Sequence, residues 1–273
     1  MDIFDRIRNG WKLVMESFAV IRVNKSLLIF PILSAASMVL VTLSFIGANR
    51  ALFIPGITNY YNSDPVVAWM TVFIFYFINY LVIVFFNVAL VYCTQKIING
   101  GKATIKEGIF FSFTRLHSIL TWALISATVG VLLKNLENKH NILSGIVRGI
   151  FGVLWSLATF FIIPVMVYEN LGVFKSIERS IWLIKNSWGE SVSATFTFHI
   201  IGALVCLPFV FLVFALHSFV AIILFVLAVL LITCVFSTAE TIFVALAYQY
   251  ATNMPVKGFE NVEFKKIFDI LPN

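Results

Sequence analysis

Six long stretches of this 273-residue chain hold almost no charge, and they decide what it can fold into. A run of about 20 apolar residues crosses the hydrocarbon core of a bilayer as a helix, because away from water every backbone N–H and C=O must find a partner within the structure. The stretches are 27–46, 66–94, 116–133, 149–168, 191–216 and 218–250. The first five lack Asp, Glu, Lys and Arg altogether, and the sixth carries only Glu240. The expected architecture is therefore all-α and polytopic: one integral membrane domain over 1–273, with six transmembrane helices arranged as three hairpins. Composition agrees, since 12% of the residues are charged where a soluble domain has roughly a quarter. So few charges cannot cover a water-soluble body of this size, which excludes a soluble enzyme. The 60% hydrophobic content excludes a disordered chain as well.

The first run is expected to be a retained helix and not a signal peptide, because it is full length and follows a segment containing Asp2, Asp5 and Glu16. Cys93, Cys206 and Cys234 each lie inside an apolar run. Their spacing fits neither a disulfide framework nor a zinc site, so they read as small packing residues.

The net charge of +6 gains meaning from its placement. Arg6, Arg8, Lys12, Arg22 and Lys25 precede the first span; Lys96, Lys102, Lys106 and Arg115 follow the second; Lys175, Arg179 and Lys185 follow the fourth; Lys257, Lys265 and Lys266 follow the sixth. The opposite side holds only Arg50, Lys134, Lys139 and Arg148. Positively charged connections stay in the cytoplasm. Both termini are accordingly expected there, with the chain in the inner (plasma) membrane and the positive charge serving a membrane face and not a nucleic acid.

Three of these basic connections carry a helical period. Ile3, Ile7, Trp11, Val14, Phe18 and Ile21 recur opposite Arg8 and Lys12; Ile105, Ile109, Phe113 and Leu116 recur opposite Lys102, Lys106 and Glu107. Phe174, Ile177, Ile181, Ile184 and Trp188 do so against Lys175, Glu178, Arg179 and Lys185, with Trp182 in the same segment. Each stretch predicts an amphipathic cytoplasmic surface helix, and the expected partners are anionic membrane lipids, another membrane protein or a second copy of the chain. Since each precedes a pair of spans, the chain reads as three copies of one unit, about 1–100, 101–171 and 172–251.

Ionisable groups within spans are costly and point to function by default. His199 and Glu240 are the two that stand out; in an antiparallel hairpin of the last two spans they lie about one turn apart in level, close enough for a proton relay or ion site. The plainer alternative has Glu240 bonded to Thr241, Tyr248 or a basic surface-helix residue. Asn79 and Asn87 fall two turns apart on the second span, as the lining of a polar cavity or as interhelical glue. Pro31, Pro164 and Pro208 mark positions where a span can kink. No metalloprotease, hydrolase, nucleotide or dinucleotide motif is present, so no catalytic, metal or cofactor residue is expected.

The blocks Gly10–Val14, Asn24–Pro31, Thr121–Ala123 with Thr128–Gly130, Ile163–Asn170, Lys175–Ser180, Asn186–Gly189 and Ala245–Ala251 resemble an uncharacterised prokaryotic family of six-span membrane proteins. That family is similar to the membrane domain attached to some glycerophosphodiester phosphodiesterases, although these 273 residues hold no counterpart of the catalytic domain. The resemblance implies six spans with a surface helix before each hairpin, and no chemistry. The expected function is that of a non-enzymatic scaffold or accessory subunit. The alternative is a small transporter or channel-like protein with a polar route through His199 and Glu240.

Overall fold

The computed structural model describes residues 15, 17–51, 65–137, 142–185, 201, 202, 204–208, 211 and 219–252. These are almost wholly helical, and no strand occurs among them. Helix α1 (17–23) leads through a 3-10 turn (Lys25–Leu28) into α2 (Ile29–Ala51). Then follow α3 (Pro65–Ile98), α4 (Ile105–Thr114), α5 (Leu116–Glu137), α6 (Ile142–Thr159), α7 (Ile162–Tyr168), α8 (173–185) and α9 (Phe219–Ala251).

Five segments among the described residues are long and apolar enough to cross a membrane: Lys25–Gly47, Trp69–Ile98, Leu116–Lys134, Gly149–Tyr168 and Ile223–Gln249. They mark a membrane protein. They coincide with five of the six apolar runs; the other, 191–216, lies mostly outside the described residues, as does His199.

The run 149–168 is not one helix. It breaks at Phe160 and Phe161 between α6 and α7. Pro164 explains the place: it has no N–H to give the Phe160 carbonyl, and its ring would collide with that carbonyl in a continuous helix. The break frees the Phe161 N–H, which donates to Ser180 Oγ of α8 at 3.0 Å.

Helix α3 is the hub, packing on α2, α4, α5, α7 and α9. Where it ends, Gly100 adopts φ 82°, and the Gly101 N–H reaches the Lys96 carbonyl while the Gly100 N–H reaches that of Ile97, both at 2.9 Å. This left-handed C-terminal turn needs a residue without a Cβ. Three residues on, Thr104 caps α4 reciprocally with Glu107, so the chain reverses within a few residues.

The core lies toward one end of the bundle. The buried cluster joins Leu27 and Phe30 at the start of α2, Leu90 to Ile98 at the end of α3, Phe161 and Val165 of α7, Leu183 and Ile184 of α8, and Ala239 to Tyr248 at the end of α9. The far halves are exposed, as at Leu40 and Leu43 of α2, Val66 and Met70 of α3, and Leu227 and Leu231 of α9. Lipid is as apolar as leucine, so helices in a membrane gain by close contact and not by escape from water. The buried crossings accordingly use small residues: Ala89, Ala123, Ala127, Ala239, Ala245 and Ala247.

Candidate functional site

The packed end holds polar side chains that the apolar helices cannot leave unpaired. Helix α7 stops at Tyr168, and Asn170, at φ 54°, turns the chain toward α8; asparagine is among the few residues that accept this left-handed conformation. Between them, Glu169 Oε1 accepts from Arg179 Nε at 2.8 Å and from the Tyr248 hydroxyl at 2.6 Å. Beside this, Gln249 Nε2 donates to the Tyr168 hydroxyl at 3.0 Å, and the Tyr168 and Tyr248 rings lie 4.8 Å apart. Arg179 also covers the Trp182 ring, 4.8 Å from its centroid. Five polar side chains thereby clasp the ends of α7 and α9 to α8. Gln249 is 1% exposed, and its Oε1 has no partner among the described residues.

Helices α4 and α8 form where the sequence periodicity places them, and their contacts with the bundle are made largely by small residues that the periodicity did not single out. Phe113, Phe174 and Ile181 point outward, while Gly108 and Ser112 of α4 and Val173, Ser176, Ser180 and Leu183 of α8 are buried. Small residues win these positions because they admit a close neighbour. A Cβ on Gly108 would stand 2.7 Å from Cys93 Sγ, 2.8 Å from Phe30 Cζ and 3.0 Å from the Ala89 carbonyl oxygen. Buried serines then supply hydrogen bonds: Ser112 Oγ donates to the Phe85 carbonyl at 2.9 Å, and Ser180 serves the Phe161 amide. Ser17 of α1 is fully buried as well.

A second polar link fixes α4 to α3. Lys96 Nζ donates to Glu107 Oε1 at 2.8 Å, and the Thr104 N–H donates to Glu107 Oε2 at 2.9 Å. Lys96 first, then the Thr104 amide and hydroxyl, hold the Glu107 carboxyl down at about 2, from an ordinary 4.5.

The residues singled out from sequence are dispersed. Asn79 donates to the Phe75 carbonyl of its own helix at 2.8 Å, Asn87 is half-buried further along α3, and Glu240 is half-buried on α9. The Glu240 and His199 pairing involves a residue outside the described ones, as do Arg8, Trp11, Lys12 and Trp188. Lys102, Lys106, Lys175 and Lys185 are exposed. Tyr248, considered as a partner for Glu240, bonds to Glu169, and the Thr241 hydroxyl donates to the Ser237 carbonyl. Among the described residues no three His, Cys, Asp or Glu side chains gather as a metal site. Tyr168, Tyr248 and Gln249 escape a search for charges within spans because they are uncharged and stand at span ends. Their signal lies in the blocks Ile163–Asn170, Lys175–Ser180 and Ala245–Ala251, which the fold brings to one place.

Five segments long and apolar enough to span a bilayer, two of them joined at their ends by this clasp, mark a helical membrane protein. The match to a family model fixes it more closely: over residues 66–258 the chain fits a family of unknown function (DUF6159), and it belongs to that family. No curated protein and no solved structure matches it.

Proposed function

We propose that this chain is a non-enzymatic scaffold or accessory subunit of the inner (plasma) membrane, with both termini in the cytoplasm, that receives a helix of another membrane protein or of a second copy against α6. One observation carries the reading. Gly145, Gly149 and Gly152 share a face of α6, and no described residue comes within 4 Å of where a Cβ would stand on any of them. Gly108 lies under Phe30 and Cys93 and Gly130 against Tyr80 at 3.3 Å, whereas Gly47, open like the glycines of α6, stands singly near the end of α2 and forms no such face. Glycine weakens a helix by up to about 1 kcal/mol relative to alanine, and a Gly-xxx-Gly face in a membrane helix is suited to close approach by a second helix. The half-membrane core and the Asn79 amide bonded to its own helix favour this over a polar route. A likeness to the membrane domain of glycerophosphodiester phosphodiesterases belongs to the same proposal, that of a membrane platform.

Purification in mild detergent tests it. The native chain is expected to carry a stoichiometric partner or to run as an oligomer, and Gly149→Leu to lose that association without losing helicity. An association untouched by Gly149→Leu overturns the reading. For the orientation, Lys102→Cys is expected to react with a membrane-impermeant thiol reagent from the cytoplasmic side only, and reaction from the opposite side refutes it.

A further inference from the structure

The guanidinium of Arg179 is held on two sides and open on a third. Its Nε is engaged by Glu169 Oε1 at 2.8 Å, Glu169 is in turn fixed by the Tyr248 hydroxyl at 2.6 Å, and the Trp182 ring supports the guanidinium face. The two terminal nitrogens make no hydrogen bond to a described residue. The side chain keeps 33% of its surface exposed, so this far edge remains open to a ligand. A guanidinium edge with two parallel N–H donors matches two oxygens of one phosphate, a geometry that a lysine ammonium does not offer.

The surroundings say which phosphate. Lys175, Arg179 and Trp182 follow at i, i+4 and i+7, along one stripe of α8. Another flank of the helix exposes Phe174 and Ile181. Tyr168 and Gln249, which lie within this clasp, are the last residues of the segments Gly149–Tyr168 and Ile223–Gln249, so Arg179 stands at the level where hydrocarbon gives way to headgroups. Tryptophan is enriched at that level. A basic fork beside tryptophan, with apolar side chains on an adjoining flank, suits a molecule with an anionic head and an apolar tail.

We infer that Arg179, oriented by Glu169 and Trp182 and assisted by Lys175, binds the phosphate of an anionic phospholipid headgroup. The inference rests on the membrane reading of this end of the bundle and is independent of what docks on α6.

Native mass spectrometry of the delipidated full chain, titrated with phosphatidylglycerol in detergent, provides the test. The native protein is expected to retain one lipid more tightly than the rest, and Arg179→Gln to weaken that lipid roughly tenfold, in line with loss of a hydrogen bond to a charged group. Removal of the cation also leaves Glu169 unpaired, so Arg179→Lys is the second variant: it keeps an ion pair, and with it the fold, yet loses the fork. It too is expected to lose the tight lipid while unfolding like the native protein. Inorganic phosphate at millimolar concentration is expected not to displace the lipid. Retention of the lipid by Arg179→Lys at native affinity overturns the fork, and displacement by inorganic phosphate overturns the lipid as its source. Equal binding by all three proteins refutes the site, whereas a failed partner assay on Gly149→Leu bears only on α6.

Discussion

Gly108→Ala puts the seating of α4 on α3 to a quantitative test. The added methyl would meet Cys93 Sγ at 2.7 Å, Phe30 Cζ at 2.8 Å and the Ala89 carbonyl oxygen at 3.0 Å, where apolar atoms rest at about 3.5–4.0 Å. The first two neighbours end side chains and can turn aside. The third is helix backbone and cannot. Overpacking of this kind costs about 1–3 kcal/mol. If α4 lifts instead, the hydrogen bond from Ser112 Oγ to the Phe85 carbonyl stretches, forfeiting about 1 kcal/mol more. Alanine returns up to about 1 kcal/mol of helix propensity, so the net loss is about 2 kcal/mol. Denaturant titration in mild detergent, followed by tryptophan fluorescence, reads it as a lowered midpoint. Gly149→Ala, which meets no described atom within 4 Å, is expected to keep or raise the midpoint. Adding Cys93→Ala to Gly108→Ala is expected to recover only part of the loss, since one contact of three is relieved. Equal midpoints for Gly108→Ala and Gly149→Ala would refute the packing of α4 described above.

Ser180→Ala strands the buried Phe161 amide at the break between α6 and α7 and is expected to cost about 1–3 kcal/mol in the same titration, with hydrogen exchange at Phe161 accelerated. Tyr248→Phe removes one of two donors to Glu169 Oε1, for a loss of about 1–3 kcal/mol; an unchanged midpoint in that variant would count against the clasp. The Glu107 carboxyl is lowered on folding, so its contribution to the α4 cap is complete above its ordinary 4.5 and disappears as pH falls through about 2. Exchange of the amides of α4 is therefore expected to quicken on acidification across that window, and Glu107→Gln to remove the pH dependence.

Long uncharged runs disclose membrane helices because the requirement is local: each run must satisfy its own backbone in lipid. The same uniformity hides how the helices pack. When every face is apolar no stripe marks the inside, and α3 gives no sign in its hydropathy that Val84 to Ile98 is buried while Val66 to Ile74 is largely exposed. The periodicity of α4 and α8 was readable as that of surface helices, but it gave no sign that Gly108, Ser112 and Ser180 would make the close contacts with other helices that packing in lipid favours. The Thr-x-x-Glu spacing of Thr104 and Glu107 is a local capping pattern that a search for apolar periodicity passes over, and the structure shows it formed. Tyr248 and Glu169 stand 79 positions apart, and no local pattern announces such a pair. Pro164 announced a kink, but not that Ser180 would supply the missing acceptor.

Packing confined toward one face also has a mechanical side. From Ala239 back to Phe219, α9 extends about 30 Å at 1.5 Å per residue, and the exposed side chains of that stretch include Leu224, Leu227 and Leu231. Such an arm is a lever with its fulcrum in the buried cluster. A change of lateral pressure around the arm is therefore expected to act on its tip, far from the bonds between Glu169 and Arg179 and between Ser180 and Phe161. With the buried cluster toward one end, the expectation for a bilayer is that the leaflet around that end meets fixed contacts and the other meets the longer, exposed parts of the described helices.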